Sequence, residues 1–423
     1  MNLITKLFYL FRKIWKAIRL FLIISGPGLV VMIADNDAGG ITTYAATGAK
    51  YGYNMLWLMV VLIPVAYYVQ EMTVRLGAVT KRGHAEAIFE NFGAFWGWFS
   101  IMDLMIVDWL TLVTEFVGMT AAASLIGMPP WLTVIVACIM LSAIVIGGKY
   151  WTWEKLSMLF CVVNLIYIPS AFLVNPTATD VWNGFIPNLP GGKFDAAFFF
   201  FIMANIGTTI APWMIFFQQS AVVDKGMTEK DVPFGKFDTL FGSIITCLVA
   251  GFIIVVTGTL LLGVDINDAA QAAEMMLKTH KYAGAFMAIG LFDAGFLGAI
   301  CISLATSWAF GEIFGWAHSL NNKIKEAPWF YGTYILTLVT AGLVVLIPGA
   351  PLVLITLFVQ VVAVTLLPAA LVFLILLLND KETMGDLKNS LWENIVACVI
   401  VGTVIVMSTL YAISTLFPDM FGQ

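Results

Sequence analysis

The sequence predicts an all-α, polytopic membrane protein of about eleven transmembrane helices, and three observations carry the prediction. Hydrophobic residues make up 61% of the 423 positions and charged residues 11%, too few polar groups to cover a water-facing surface. Apolar runs of spanning length recur from end to end, with no connector long enough to form a soluble domain. The basic residues fall almost wholly on alternate connectors, as one fixed membrane orientation requires.

Taken in order, the chain opens on Lys6, Arg12, Lys13, Lys16 and Arg19 with no acid among them, which predicts a cytoplasmic N-terminus. This basic amphipathic stretch suits the anionic inner face of the bilayer. No short apolar core ends in a small-residue cleavage site, so no cleavable signal peptide is expected. Spans are expected at residues 21–48, 54–76, 95–125, 131–148, 156–174, 196–223, 239–263, 282–317, 329–347, 351–378 and 392–416. Alternating from inside, the cytoplasmic connectors hold Arg75, Lys81, Arg82, Lys149, Lys155, Lys225, Lys230, Lys236, Lys323, Lys325, Lys381 and Lys388. Only Lys50, Lys193, Lys278 and Lys281 fall outside, and one helix more or fewer would scramble this pattern. The odd count puts the C-terminus on the extracellular side of the cell membrane. Residues 1–423 read as one membrane domain: a first five-helix repeat over 18–176, a second, inverted one over 194–378, and an added eleventh helix over 391–416. The five cysteines lie in apolar spans and form no CxxC, so neither a disulfide framework nor a thiolate metal site is suggested.

Two spans are interrupted. The first, opened by Gly26-Pro27-Gly28, meets Asp35-Asn36-Asp37 and then Ala38-Gly39-Gly40. An ionisable side chain inside hydrocarbon costs about 2.5–3.5 kcal/mol or more, so two carboxylates beside a helix break point to a cation. The sixth span carries Asn205-Ile206-Gly207-Thr208-Thr209-Ile210-Ala211-Pro212-Trp213. Either break alone is equally well a packing kink. Interruptions at the first helix of each five-helix half are the mark of inverted-repeat transporters of the LeuT-like kind, with a midplane site built on unwound backbone.

The first break resembles that of the Nramp divalent-metal transporters, whose unwound first helix reads Asp-Pro-Gly-Asn. The stretch Glu71-Met72-Thr73-Val74-Arg75-Leu76-Gly77-Ala78-Val79-Thr80 is similar to the family's second helix, and Glu115-Phe116-Val117-Gly118 to its third. Gly207 to Ser220 is similar to the family's Gly-Ala-Thr-Val-Met-Pro-His segment, and Gln360-Val361-Val362 with Leu367-Pro368 to its tenth helix. The resemblance covers nearly the whole chain and implies a metal site at Asp37, the carbonyls near Ala34 and Thr208, Thr209 and Gln360. The family's binding Asn falls on Gly40, its binding Met on Ala211, its proton-linked His on Trp213, and a proton-path acid on Leu112.

Those departures shape the expected function. Losing a thioether at Ala211 removes the soft ligand that favours transition metals and leaves oxygen donors, which suit Mg²⁺. Gly40 and Ala211 are expected to leave room for a largely hydrated ion, a pattern that resembles the Nramp-related magnesium transporters. Asp35, Asn36, Trp213 and Glu115 are candidates for the layer behind the ligands or for the ion's path. The expectation is therefore a secondary transporter of Mg²⁺, with Mn²⁺ also carried, driven by membrane potential without protons. The alternatives are a proton-coupled Mn²⁺ or Fe²⁺ symporter and, from another class, a membrane-embedded metal sensor or scaffold. No phosphate loop, Ser/His/Asp set or HExxH is present, so neither an enzyme nor a cofactor is expected. The expected partners are the divalent ion and the lipid bilayer, not nucleic acid, and a monomer suffices. Glu71 and Arg75, four apart, read as an ion pair on one helix face.

Overall fold

The computed structural model describes residues 26–146, 149–188, 196–266, 269–350 and 352–416. The basic stretch Lys6 to Arg19, the start of the first span, Lys193 and residues 417–423 lie outside the described residues. Among the described residues there are helices and no strand. Nine helices among the described residues are long and apolar enough to cross a membrane. With the shorter Pro130–Ile146 and a first span split into Pro27–Ala34 and Ala38–Tyr51, they account for the expected spans in order.

The fifth span begins at Tyr150, earlier than expected, and a turn separates its two parts, Tyr150–Asn164 and Tyr167–Leu173. The sixth is likewise two helices, Ala196–Gly207 and Pro212–Lys225. Connectors between the expected spans hold short helices at His84–Phe92, Ala178–Asn183, Ala269–Thr279 and Lys381–Met384. His84–Phe92 is held by the eighth span, Lys281–Phe314, whose Glu312 Oε2 accepts the Ala85 N–H at 3.1 Å and the Glu86 N–H at 3.4 Å. A carboxylate on the free N–H groups of a helix start favours the helix and meets its positive end.

Burial ranks the spans. In the sixth, 94% of the most apolar window is buried, against 17% in the eleventh, Leu391–Tyr411, which therefore lies at the edge of the bundle. Every residue of Pro27–Ala34 is buried too. The two broken spans thus form the centre, where hydrophobic residues all round a helix are what burial on all sides requires.

Polar ties fix one end of several spans. Asp238, in the seventh span (Val232–Leu260), accepts the Gly26 N–H at 2.8 Å and the Leu29 N–H at 3.1 Å, holding the start of the first span. Lys225 at the end of the sixth pairs with Glu154 of the fifth at 2.7 Å. The expected Glu71 and Arg75 pair forms at 3.0 Å, and Arg75 also reaches Asn389 Oδ1 at 2.9 Å and Glu393 at 3.4 Å. Lys236 adds a contact to Glu71 at 2.8 Å, so the network joins the second, seventh and eleventh spans.

Candidate metal centre

A continuous helix would give the Ala38 N–H to the Ala34 carbonyl. Here it goes to Glu115 Oε2 at 3.0 Å, and Asp37 caps the new helix by accepting the Gly40 N–H at 2.6 Å. The helix ladder resumes with the Ile41 N–H on the Asp37 carbonyl at 2.9 Å. The first break is therefore held open by two carboxylates on one half-helix start, where the dipole favours them. In the sixth span the Thr208 carbonyl loses its helical donor because Pro212 has no N–H. The Ala211 N–H turns to Met214 Sδ at 3.3 Å instead of the Gly207 carbonyl.

The two breaks face each other. Tyr44 lies two turns beyond Asp37, and its hydroxyl reaches the Thr208 carbonyl at 3.4 Å and Thr209 Oγ1 at 3.2 Å. A Cβ at Gly40 would run into Thr208 Oγ1 and stand 3.1 Å from the Asp35 carbonyl oxygen and 3.3 Å from Asp37 Oδ1. One at Gly39 would meet the Gln360 amide, with Thr114 Oγ1 at 3.2 Å and Asp37 Oδ1 at 3.3 Å. Only glycine permits so close an approach of the tenth span (Leu352–Asn379) and the sixth to this backbone. Side chains from the third span (Ala94–Ser124) complete the cluster, with the Glu115 carboxyl within hydrogen-bonding reach of Asp37.

This geometry corrects one expectation. The space beside Gly40 is not open: the Thr208 hydroxyl fills it, because the half-helices approach more closely than residue types alone reveal. The site is also closed, with Asp37, Thr208, Thr209, Ala211 and Gln360 all at most 4% exposed. Nor is sulfur absent from the break, since the Met214 thioether stands there, taken up as acceptor for the Ala211 N–H.

Several polar atoms around the breaks are buried without a partner: Asp35 Oδ2, Asn36 Oδ1, Thr208 Oγ1 and Gln360 Nε2. Unsatisfied oxygens in a membrane interior cost several kcal/mol each unless something satisfies them, and a cation does. Rotating the Gln360 amide would present its carbonyl oxygen in place of Nε2. Asn36 is turned to the seventh span, donating to the Thr246 carbonyl at 3.3 Å. Trp213 is fully buried and packs edge-on against Phe217 at 6.1 Å. Among the described residues no group of three or more His, Cys, Asp or Glu side chains is placed to hold a metal, so the donors here are mixed carboxyl, hydroxyl, amide and backbone oxygens.

Sequence reasoning missed Tyr44, Thr114 and the direct role of Glu115. Tyr44 carried a signal, since a spacing of seven puts it on the same helix face as Asp37. Glu115 was a candidate for the layer behind the ligands, but its hold on the Ala38 N–H could not be read from the sequence, because the rotation of the third span is set by packing.

The sequence profile described as "Natural resistance-associated macrophage protein-like" (Nramp) matches residues 28–414. The chain belongs to the Nramp family. The divalent metal cation transporter MntH of Staphylococcus saprophyticus is 27% identical over 422 residues, covering 93% of this chain and 92% of that protein. The natural resistance-associated macrophage protein 2 homolog of Dictyostelium discoideum is 22% identical, and the match spans 89% of this chain but only 62% of that longer protein. Among solved structures, the Eremococcus coleocola manganese transporter in complex with an aromatic bis-isothiourea substituted compound superposes with a TM-score of 0.75 at 19% identity. That match covers 97% of this chain and 89% of the other. This Nramp chain thus has the fold expected of it, a LeuT-like helical bundle with unwound first and sixth spans.

Proposed function

We propose that this Nramp protein carries divalent metal ions across the cell membrane by alternating access, Mg²⁺ foremost and Mn²⁺ as well, driven by membrane potential without protons. The observation that carries the reading is the donor set. Asp37, the Thr208 hydroxyl and the Ala34 and Thr208 carbonyls released by the breaks are hard oxygen donors, while the Met214 thioether is engaged with a backbone N–H. One or two carboxylates with retained water are the usual hold on Mg²⁺. A divalent ion crossing 100 mV gains about 4.6 kcal/mol, enough for uptake without a second ion. Residues 18–176 and 194–378 serve as the inverted repeats, with the N-terminus cytoplasmic, the C-terminus extracellular, and a monomer sufficient for the cycle.

A second reading, proton-coupled transport of Mn²⁺ or Fe²⁺, is favoured by the closeness of Glu115 to Asp37, since a carboxyl pair holds a proton that an arriving cation would displace. The test is uptake into liposomes under an imposed potassium diffusion potential, with indicators for Mg²⁺ and internal pH. Mg²⁺ is expected to enter without acidification, and Asp37→Ala to abolish its entry. Acidification in step with the metal, or rejection of Mg²⁺ while Mn²⁺ passes, would overturn the first reading in favour of the second.

A further inference from the structure

Away from the metal centre, a cavity of about 390 Å³ lies between the third, eighth and ninth spans, the ninth being Pro328–Val345. Asp108 and Thr306 form its buried wall, at 1% and 4% exposure, while Trp329 and Leu336 on its rim are 64% and 62% exposed. The opening therefore faces out of the bundle, beside the connector between the eighth and ninth spans. Thr306 Oγ1 donates to Asp108 Oδ2 at 2.7 Å, and Asp108 Oδ1 is buried without any partner. None of the residues lining the cavity is basic.

One side of the cavity is a ladder of aromatic rings. Phe310 stacks on Phe314 at 5.9 Å, Phe314 on Trp316 at 4.6 Å, and Trp316 on Trp329 at 5.6 Å. Leu112 lines the same cavity and lies one turn from both Asp108 and Glu115, so an apolar side chain stands between this space and the metal centre.

We propose that this cavity binds a hydrophobic organic cation, with Asp108 as its counter-ion and the aromatic ladder as its wall. An unpaired carboxylate in the membrane interior calls for a cationic partner. Aromatic faces attract positive charge, most strongly where water is excluded. A hydrated metal ion does not suit the site, because beyond Asp108 it offers only threonine hydroxyls and apolar surface, with too few oxygens to replace the water shell. A cation that brings its own apolar surface, such as an aryl or alkyl ammonium, satisfies both the carboxylate and the rings, and the volume is that of a small-molecule pocket. The inference is independent of which metal the protein carries.

The experiment measures binding of radiolabelled benzyltrimethylammonium to the full chain in nanodiscs of zwitterionic lipid. Saturable binding is expected, weakened about tenfold or more by Asp108→Asn and by Trp316→Leu and unchanged by Asp37→Asn. Neopentylbenzene, the uncharged isostere, is expected not to compete, and neither is excess Mn²⁺. Metal uptake by the Asp108 and Trp316 variants, and a wild-type gel-filtration profile and melting temperature for Asp37→Asn, show that each is folded, and Trp316→Leu decides the matter if Asp108→Asn is not. Absence of saturable binding, equal binding by the folded variants, competition by the uncharged isostere, or loss of binding in Asp37→Asn would each overturn the proposal.

Discussion

The tight packing at Gly40 gives the sharpest test of the metal centre. Gly40→Ala adds one methyl group where Thr208 Oγ1 already sits and where two further oxygens lie at 3.1 and 3.3 Å. Ordinary contact needs about 3.4 Å or more, so either the Thr208 hydroxyl swings away or the two half-helices separate. Overpacking of this kind costs about 1–3 kcal/mol, a factor of roughly 5 to 150 in an equilibrium. The assay is the concentration dependence of Mg²⁺ uptake into liposomes for wild type, Gly40→Ala, Thr208→Ala and the double variant. KM is expected to rise within that range for Gly40→Ala. The double variant should fall well short of the sum of the two single effects, because removing the hydroxyl removes the methyl's hardest contact and leaves only the milder ones at 3.1 and 3.3 Å, a non-additivity that only contacting residues show. Wild-type uptake by Gly40→Ala would refute the reasoning, as would additive effects in the double variant.

The remaining predictions concern neighbours of the centre and one group outside the membrane. Tyr44→Phe removes the hydroxyl that ties the two breaks together, a loss of about 0.5–1.5 kcal/mol, and uptake is expected to fall roughly two- to tenfold, with an unchanged rate counting against that tie. Glu115→Gln keeps an acceptor for the Ala38 N–H but cannot hold an exchangeable proton, so potential-driven Mg²⁺ uptake should persist within a few-fold, and its abolition would favour the proton-coupled reading. His84, in the short helix between the second and third spans, packs against Phe216 and pairs with Gln219 at 3.0 Å, and burial pushes its imidazole down to about 4 from 6.5. Its contribution to stability is thus present above pH 6.5 and lost as pH falls through about 4, a span of about 3 kcal/mol. Thermal unfolding in detergent should show this loss in wild type and a shallower one in His84→Gln; identical pH profiles would contradict it.

The two breaks were legible in the sequence because their causes are local. Pro212 cannot donate to the Thr208 carbonyl wherever the helix sits, and Asp37 before Ala38-Gly39-Gly40 is a helix cap by residue type. The order of the spans was legible for a similar reason, since apolar length and alternating basic connectors are properties of the chain itself. What sits across from each break was not. Gly40 read as a vacancy when compared with an asparagine, yet whether a missing side chain leaves space depends on how closely the facing helix approaches, and here Thr208 closes the gap. The short connector helices were missed because their stability comes from outside them, as when Glu312 supplies the acceptor for Ala85 and Glu86.

The same distinction bears on coupling. Judged by residue type, the resemblance puts Trp213, a buried aromatic, and Leu112, an apolar wall, at the positions expected to carry protons. Judged by geometry, Glu115 remains, and it does two things at once: it holds the first break open through the Ala38 N–H and stands against Asp37. A carboxyl needed to cap a half-helix is retained on structural grounds whether or not it moves a proton, so its presence does not argue for coupling. What coupling would further require is a relay from Glu115 to the cytoplasm. Along the third span the next position on that face is Leu112, an apolar side chain 1% exposed, which separates Glu115 from Asp108 and its cavity. A proton released at Glu115 therefore meets apolar side chains on this route, which is the physical ground for reading the metal's own charge as the driving force.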